Sequence, residues 1–503
     1  MERITFSRLV ARLCLAALPL MAMPAAATAQ EREPIPMPTV STDSLMKHII
    51  ELSSETYEGR LAGSTGYERA ARYAEQVLRR YGAREIKRQP FELECNEVEN
   101  CKFNIYIPGS KEKRVFTLGN EFCCAGMTGR GYVDAQMVFC GYGVDNGMFD
   151  EYKNVDVQGK IAIVLTGLPD WLPASVGDHY RTLRDKARAA ERHGAIGMLA
   201  VNISPSCLSH EPQGRVYCGE LPHLSTFPIL QLTRDCCSEL LLGEASSLDN
   251  AIDAINNGHR TCSFATLKKA EIDVNAHYRP RAETMNVVGL LEGSDKSLRS
   301  EIIVVGASLD GMGIQGETCL FPGADINASG VAAVLETARV LSDRDYRPKR
   351  SVLFVLFSGS EQQYLGSREF LRQYPRLRNV EAFINVQNIG CGDSLTVLGD
   401  NKYPTLWNIA RSHDTAADRQ HIRLEEEKTD PRGDARAFDS KGIPSLVITT
   451  HNGMQHNHVS SDIWENIDRR ILYQAARLMT ETVAELGEGL YQGRSPQSRA
   501  QRY

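Results

Sequence analysis

Ile302-Ile303-Val304-Val305-Gly306-Ala307-Ser308-Leu309-Asp310 is an apolar run that ends on a serine and an aspartate. A run of this length without polar alternation is the pattern of a strand covered on both faces, as in a parallel sheet. The reading places a strand over Ile302 to Gly306 and its polar end in the loop beyond. Four more apolar runs read the same way: Val287 to Leu291, Val352 to Phe357, Ala382 to Val386 and Ser445 to Thr449. Helical spacing marks Ala328 to Leu341 and Arg469 to Leu486. Towards the N-terminus, Ser41 to Leu52 and Tyr67 to Tyr81 also read as helices; in the second, Ala70, Ala71, Tyr73, Ala74, Val77 and Leu78 fall on one stripe. Apolar strands alternating with helices give an α/β fold, a three-layer sandwich with a mostly parallel central sheet.

Between about 120 and 275 the texture changes. Short strands dominate (Ala135 to Phe139, Ile161 to Leu165, Met198 to Val201), with one clear helix from Tyr180 to His193 before Gly194-Ala195-Ile196-Gly197. This stretch reads as a β-rich inserted domain. The expected organisation is 1–29 a signal peptide, 30–40 a linker, 41–119 the first part of the main domain, 120–275 the insert, 276–490 the rest of the main domain and 491–503 a disordered tail. The signal peptide is read from Arg3, Arg8 and Arg12, the short apolar run Leu13 to Met23 and the small-x-small site Ala27-Thr28-Ala29. That run is too short to span a bilayer, so the chain is expected to be released to the periplasm or outside the cell, without a membrane anchor. The linker is Pro-rich (Glu33-Pro34-Ile35-Pro36-Met37-Pro38).

The 503 residues carry a net charge of −6 and no long basic run, which gives no footprint for nucleic acid. Thirteen cysteines in an exported chain make disulfides an expectation. Cys95 and Cys101 are near enough in sequence to clip a loop, and the doublets Cys123-Cys124 and Cys236-Cys237 can each reach two partners, with connectivity left open. Gly311-Met312-Gly313-Ile314-Gln315-Gly316 has dinucleotide-binding spacing, but no helix opens there to receive a pyrophosphate, so it reads as a loop at a sheet edge.

Polar segments follow the apolar strands in order: Ala307-Ser308-Leu309-Asp310, Gly323-Ala324-Asp325-Ile326-Asn327, Ser358-Gly359-Ser360-Glu361, Ile384-Asn385-Val386-Gln387-Asn388 and His456-Asn457-His458. In open α/β sheets the ligand site lies beyond the carboxyl ends of the strands, so these loops are expected to converge.

This array resembles the two-zinc aminopeptidase family that includes bacterial leucyl aminopeptidases, glutamate carboxypeptidase II and the transferrin receptors. The likeness extends to the loop Gly59-Arg60-Leu61-Ala62-Gly63-Ser64 and the re-entry strand at Asn286-Val287-Val288-Gly289. Residues 120–275, with Gly141-Tyr142-Gly143, Gly159-Lys160-Ile161 and His193-Gly194-Ala195, resemble the protease-associated domain often inserted in that family. The resemblance implies a zinc-aminopeptidase-like fold and a cleft for a peptide or protein ligand. It also implies five metal positions, and here the chain departs from the pattern. Ser308 stands where the family has a histidine ligand, although the supporting Asp310 remains. Ile326, next to Asp325, stands where an aspartate bridges both metals. Ser360 replaces the general base, while Glu361 keeps the adjoining ligand. Gln387 replaces an aspartate ligand, and His458 keeps a histidine ligand.

Two dications about 3.5–4 Å apart repel by on the order of 15–20 kcal/mol at an effective dielectric near 20. Serine, isoleucine and glutamine bring no charge to offset that, and isoleucine has no donor atom. The resemblance and its departures lead to an exported peptidase homologue that has turned to peptide or protein binding. Its metal content is expected to be none or one weakly bound zinc at Glu361 and His458, with Asp325 or His456 as a third ligand. The alternative is an active zinc aminopeptidase using that reduced single-metal site. A serine hydrolase built on Ser308 or Ser360 with His458 is a weaker alternative, since neither serine sits in G-x-S-x-G. The oligomeric state is left open.

Overall fold

Apolar side chains on both sides of the Ile302–Ser308 strand require cover on both faces, and the chain supplies it. The structure, a computed structural model, describes residues 39–493 apart from 108, 110–111, 204–210, 218, 344–345, 416–422 and 426–428, and the side chains of 454 and 455. The signal-peptide segment, most of the linker, Cys207, Cys218 and the tail beyond 493 lie outside the described residues. Thr39 and Ser41 are already tied to the main domain: Arg339 donates to the Thr39 carbonyl and the Ser41 N–H donates to Glu336. Tyr491, read as the start of the tail, is buried.

Strand Ile302–Ser308 lies at the centre of its sheet region, paired in parallel with Ser351–Phe357 on one side and Val380–Val386 on the other. Val380–Val386 pairs in parallel with Ser445–His451, Ser394–Leu398 follows antiparallel, and the short Leu424–Glu425 lies beyond it at the edge. On one face Phe370 and Phe438, from helices Leu365–Gln373 and Asp434–Ser440, join Val304, Val355, Phe357 and Phe383 in a buried cluster. Phe438 stacks on Phe383 with centroids 3.9 Å apart, a pairing worth roughly 0.5–1.5 kcal/mol beyond the area it buries. Helices Thr42–Leu52, Gly330–Leu341 and Arg469–Gly487 pack together as a further layer, the last two joined by a 2.8 Å hydrogen bond between Thr337 and Thr480. The fold is therefore α/β with a mixed, mostly parallel sheet flanked by helices. Helix starts follow from capping: Ser41 accepts from the Ser44 N–H and Ser64 from the Tyr67 N–H, each worth about 1 kcal/mol.

The second half of the sheet is reached through one strand. Phe264–Leu291 pairs with Ser351–Phe357 at Val287–Leu291 and with Gly131–Phe139 at its other end. From Gly131–Phe139 the ladder continues in parallel through Ile161–Leu165, Gly197–Val201 and Ile229–Leu232. Arg84–Tyr106 runs antiparallel along most of Phe264–Leu291. Hydrogen bonding thus passes without a break between the two halves, and the sequence positions 275 and Asn286 both fall inside one strand. Each half has its own apolar cluster: one draws on residues between Leu61 and Phe321, the other on Val288 to Val447.

Two expectations change here. The ten described cysteines, Cys95 and Cys101 among them, are free thiols. Cys95 and Cys101 lie six residues apart on the extended strand Arg84–Tyr106. At about 3.3 Å per residue that is roughly 20 Å, well beyond the ~7 Å a disulfide bridges. The glycine-rich stretch 311–316 forms a short hairpin, Ile314–Gln315 with Cys319–Leu320, and packs on the Gly59 loop: the Gly311 and Gly313 N–H groups donate to the carbonyls of Arg60 and Gly59. Gly59 has φ of +64°, and a Cβ there would sit 2.2 Å from the Gly313 carbonyl oxygen, so only glycine fits.

Candidate functional site at the carboxyl ends of the parallel strands

Parallel pairing puts the ends of Ile302–Ser308, Ser351–Phe357, Val380–Val386 and Ser445–His451 on one side of the sheet. Ser308, the 358–361 loop, Gln387 and the 456–462 loop therefore share one region, as the sequence leads one to expect. Asn327 ties two of these segments together: its amide donates to the carbonyls of Ser308 and Val386, and its side-chain oxygen accepts from the Asn388 N–H.

Glu361 and His458 meet. Glu361 Oε1 lies 3.2 Å from His458 Nε2, both side chains partly exposed. Burial works against the charged imidazolium, but the Glu361 carboxylate more than offsets it, so His458 titrates above its usual value. His458 itself has φ of +60° and its carbonyl accepts from the Gly214 N–H at 2.7 Å. Gln213 Nε2 donates to the neighbouring Asn457 carbonyl, so the sheet half containing residues 131–264 touches the site through this loop.

The other positions have local partners. Ser308 is buried and donates to Asp434 Oδ2 at 3.1 Å. Asp310 is buried and accepts from the Ser360 N–H on both carboxylate oxygens, at 3.2 and 3.0 Å. Burial, and then the charge of Glu361, push it up to about 7. Asp325 is fully buried; its Oδ1 accepts from the Gly390 N–H at 2.6 Å and from Ser329, while its Oδ2 has no hydrogen-bond partner. Burial and the neighbouring Asp462 both raise its titration. The Ile326 N–H donates to Asp462 Oδ2, and the Ile326–Asn327 peptide is cis. Gln387 donates to Asn385 at 2.8 Å and lies against Gly433. His456 pairs with Ser461 rather than with the Glu361–His458 pair, and the exposed His451 pairs with Asp393. Among the described residues no group of three or more His, Cys, Asp or Glu is gathered so as to hold a metal ion. His458 faces the Glu361 carboxylate, and Ser308 faces Asp434, so Ser308 does not pair with His458.

Three residues went unassigned in the sequence. Asp434, at the start of helix Asp434–Ser440, is buried beside Ser308 with Oδ1 unpaired. Burial, only partly countered by hydrogen bonds from Ser367 and Ser308, pushes it up to about 6. Asp462 accepts from the N–H groups of Asp325 and Ile326 and so fixes the loop where the family's bridging aspartate would stand. Arg60, fully buried, donates to the carbonyls of Leu52, Leu309, Pro322 and Gly323 and clamps the 309–310 and 322–325 loops together. The glycines around Arg60 signal a tight turn, but nothing local marks Asp434.

The Tyr364 ring stands by the same acids. Burial, then Asp434, Glu361 and Asp310, push its hydroxyl up to about 12. Carboxylates outnumber cations in this region, and Arg60 is the charged group that faces Asp310 and Asp462.

Residues 286–483 match the model of Peptidase family M28. Transferrin receptor protein 1 of Gallus gallus is 30% identical over 131 residues, 24% of this chain and 16% of the receptor. A probable leucine aminopeptidase of Trichophyton verrucosum is 28% identical over 198 residues, 37% of this chain and 54% of that protein. The matched stretches thus span about a sixth and about half of these relatives. The solved aminopeptidase from Aneurinibacillus sp. strain AM-1 shares the fold at a TM-score of 0.59, with 21% identity, over 88% of this chain and 93% of that one. The sheet, the strand-end site and the family match all lie on the same stretch, so residues 286–483 are similar to Peptidase family M28 and the chain has a zinc-aminopeptidase-like fold.

Proposed function

We propose that this protein is a non-catalytic member of its family, an exported pseudopeptidase whose former active-site cleft captures a peptide or protein segment. The observation that carries this reading is the donor set. Of the five metal positions implied by the family, only Glu361 and His458 keep ligating side chains, and these two face each other at 3.2 Å. The residues present do not fit a zinc pair, because Ser308, Ile326 and Gln387 bring no charge to hold two dications together. The general-base position is Ser360, whose N–H is committed to Asp310; loss of a general base alone costs about 10²–10⁴ in rate.

At most one ion, weakly held by Glu361 and His458, suits what is left. Asp325 holds the Gly390 N–H through Oδ1 and His456 pairs with Ser461, and a closed structural zinc site wants four protein ligands. We read residues 120–275 as a protease-associated-type insert that borders the cleft through Gln213 and Gly214. Among the described residues no helix is long and apolar enough to cross a membrane. The alternative, an aminopeptidase working with one zinc, rests on the same pair of residues.

The test is hydrolysis of a panel of aminoacyl p-nitroanilides and short peptides by the purified protein, with and without added zinc. The expected result is no release of the N-terminal residue. Zinc-dependent turnover that disappears in Glu361→Ala would establish the alternative.

A further inference from the structure

Another cleft lies in the half of the sheet built from residues 131–264, reaching from the strand ends there to Arg215, next to the Gly214 that holds the His458 carbonyl. Four strands there run in parallel: Gly131–Phe139, Ile161–Leu165, Gly197–Val201 and Ile229–Leu232. Each contributes to one cleft from just beyond its carboxyl end: Tyr142 after the first, Thr166 after the second, Asn202 after the third and Arg234 after the fourth. That is the place where a parallel α/β sheet takes its ligand, and the former peptidase site does not use it. The cleft measures about 1180 Å³, more than the roughly 300–1,000 Å³ that holds a drug-sized molecule. It has room for more than a single sugar or amino acid.

We propose that this cleft binds a neutral oligosaccharide, with a sugar ring laid against the stacked Trp171 and His259. The two rings lie 4.8 Å apart at 30°. Trp171 is fixed by its indole N–H donating to the Ile255 carbonyl at 2.9 Å and by the edge of Phe149. A rigid aromatic face matches the flat C–H side of a pyranose. Around it the lining offers both donors and acceptors, as hydroxyl groups require. Arg234 donates to Asp249 and Asn257 to Asp253, each at 2.7 Å. A guanidinium has five N–H groups and a carboxylate about four lone-pair sites, so these pairs keep capacity for a ligand.

The charges argue for a neutral occupant. Arg234 faces Asp249, Arg181 faces Asp178 at 2.6 Å, and the buried Lys186 donates to the Tyr142 carbonyl. Asp170, Asp249 and Asp253 line the same cleft as Arg181, Lys186, Arg215 and Arg234, so the two signs are mixed and nearly balanced rather than arranged to select an ion.

The test uses the full chain with maltohexaose, cellohexaose and chitohexaose as probes and hexa-alanine as the competing class, read by calorimetry and tryptophan fluorescence. At least one hexasaccharide is expected to bind with Kd at or below about 1 mM and to change the fluorescence. Trp171→Ala, checked to be folded by circular dichroism, is expected to weaken that binding at least tenfold; His259→Ala, at the exposed partner of the stack, is expected to weaken it several-fold with the urea midpoint unchanged, and Asp249→Asn to weaken it less. The proposal fails if none of the three binds at about 10 mM, some tenfold above that limit. It fails equally if binding survives Trp171→Ala, or if hexa-alanine binds in a Trp171-dependent way. Hexa-alanine binding that ignores Trp171 reports on the Glu361–His458 cleft, so this proposal and the function proposed above stand or fall separately.

Discussion

Asp434→Asn is expected to make the protein more stable at pH 8 and to lose that advantage in acid. Asp434 is fully buried, its Oδ1 has no partner, and its Oδ2 accepts from Ser308. Burial raises it from the ordinary 3.8 to about 6. A carboxyl group raised on folding holds its proton more tightly in the native state than in the unfolded chain. Stability therefore falls as pH rises from about 4 to about 6 and stays lower above. Roughly two pH units at 1.36 kcal/mol each give about 3 kcal/mol as an upper bound. An asparagine keeps the oxygen that accepts from Ser308 but brings a buried N–H₂ that can cost about 1 kcal/mol if unpaired. The variant should then gain about 1–2 kcal/mol over the parent at pH 8 and be equal or slightly worse at pH 4.5. The assay is urea unfolding at both pH values, with the m-value checked for constancy. The parent-to-variant difference cancels the same-signed contribution of Asp310, which also titrates high. A difference that does not change with pH would show that the Asp434 charge is solvated or matched by a cation, and the reasoning would be wrong.

Ile326→Asp is expected to tighten zinc binding at the Glu361–His458 pair by at least tenfold in calorimetric titration without conferring peptidase activity, since Ser360 still stands at the base position; no change in affinity would show that Ile326 does not face the pair. Arg60→Lys should destabilise the fold by about 2–4 kcal/mol in urea unfolding, because an ammonium with three donors cannot serve the four carbonyls that the guanidinium reaches. Retention of the parent midpoint would mean that those carbonyls find water instead.

Much of the main sheet was legible because its strands are uniformly apolar. Val352 to Phe357 and Ala382 to Val386, read from composition alone, lie within Ser351–Phe357 and Val380–Val386. Once those strands are parallel, the convergence of Ser308, Glu361, Gln387 and His458 follows from topology. Ser394–Leu398 was missed because serine and threonine interrupt its apolar pattern, although all five residues are buried. The ribbon Arg84–Tyr106 was missed because charged residues such as Lys87, Arg88 and Glu92 face solvent along it. In the site, the partners that neutralise or clamp were harder to see than the ligand positions. Asp434 sits 126 residues from Ser308, and its flanking Arg432-Gly433 reads as an ordinary helix entry. The burial that gives it chemistry comes from packing across the sheet, which leaves no local trace.

The central claim is that the zinc pair cannot assemble on this chain, and zinc stoichiometry tests it most directly. The purified, metal-stripped protein is titrated with zinc by calorimetry, with Glu361→Ala and His458→Ala run in parallel. The account predicts at most one weakly bound ion, lost in both variants. Two tightly bound zinc ions per chain would contradict it, because the charges needed to hold them together would then have to come from residues other than Ser308, Ile326 and Gln387.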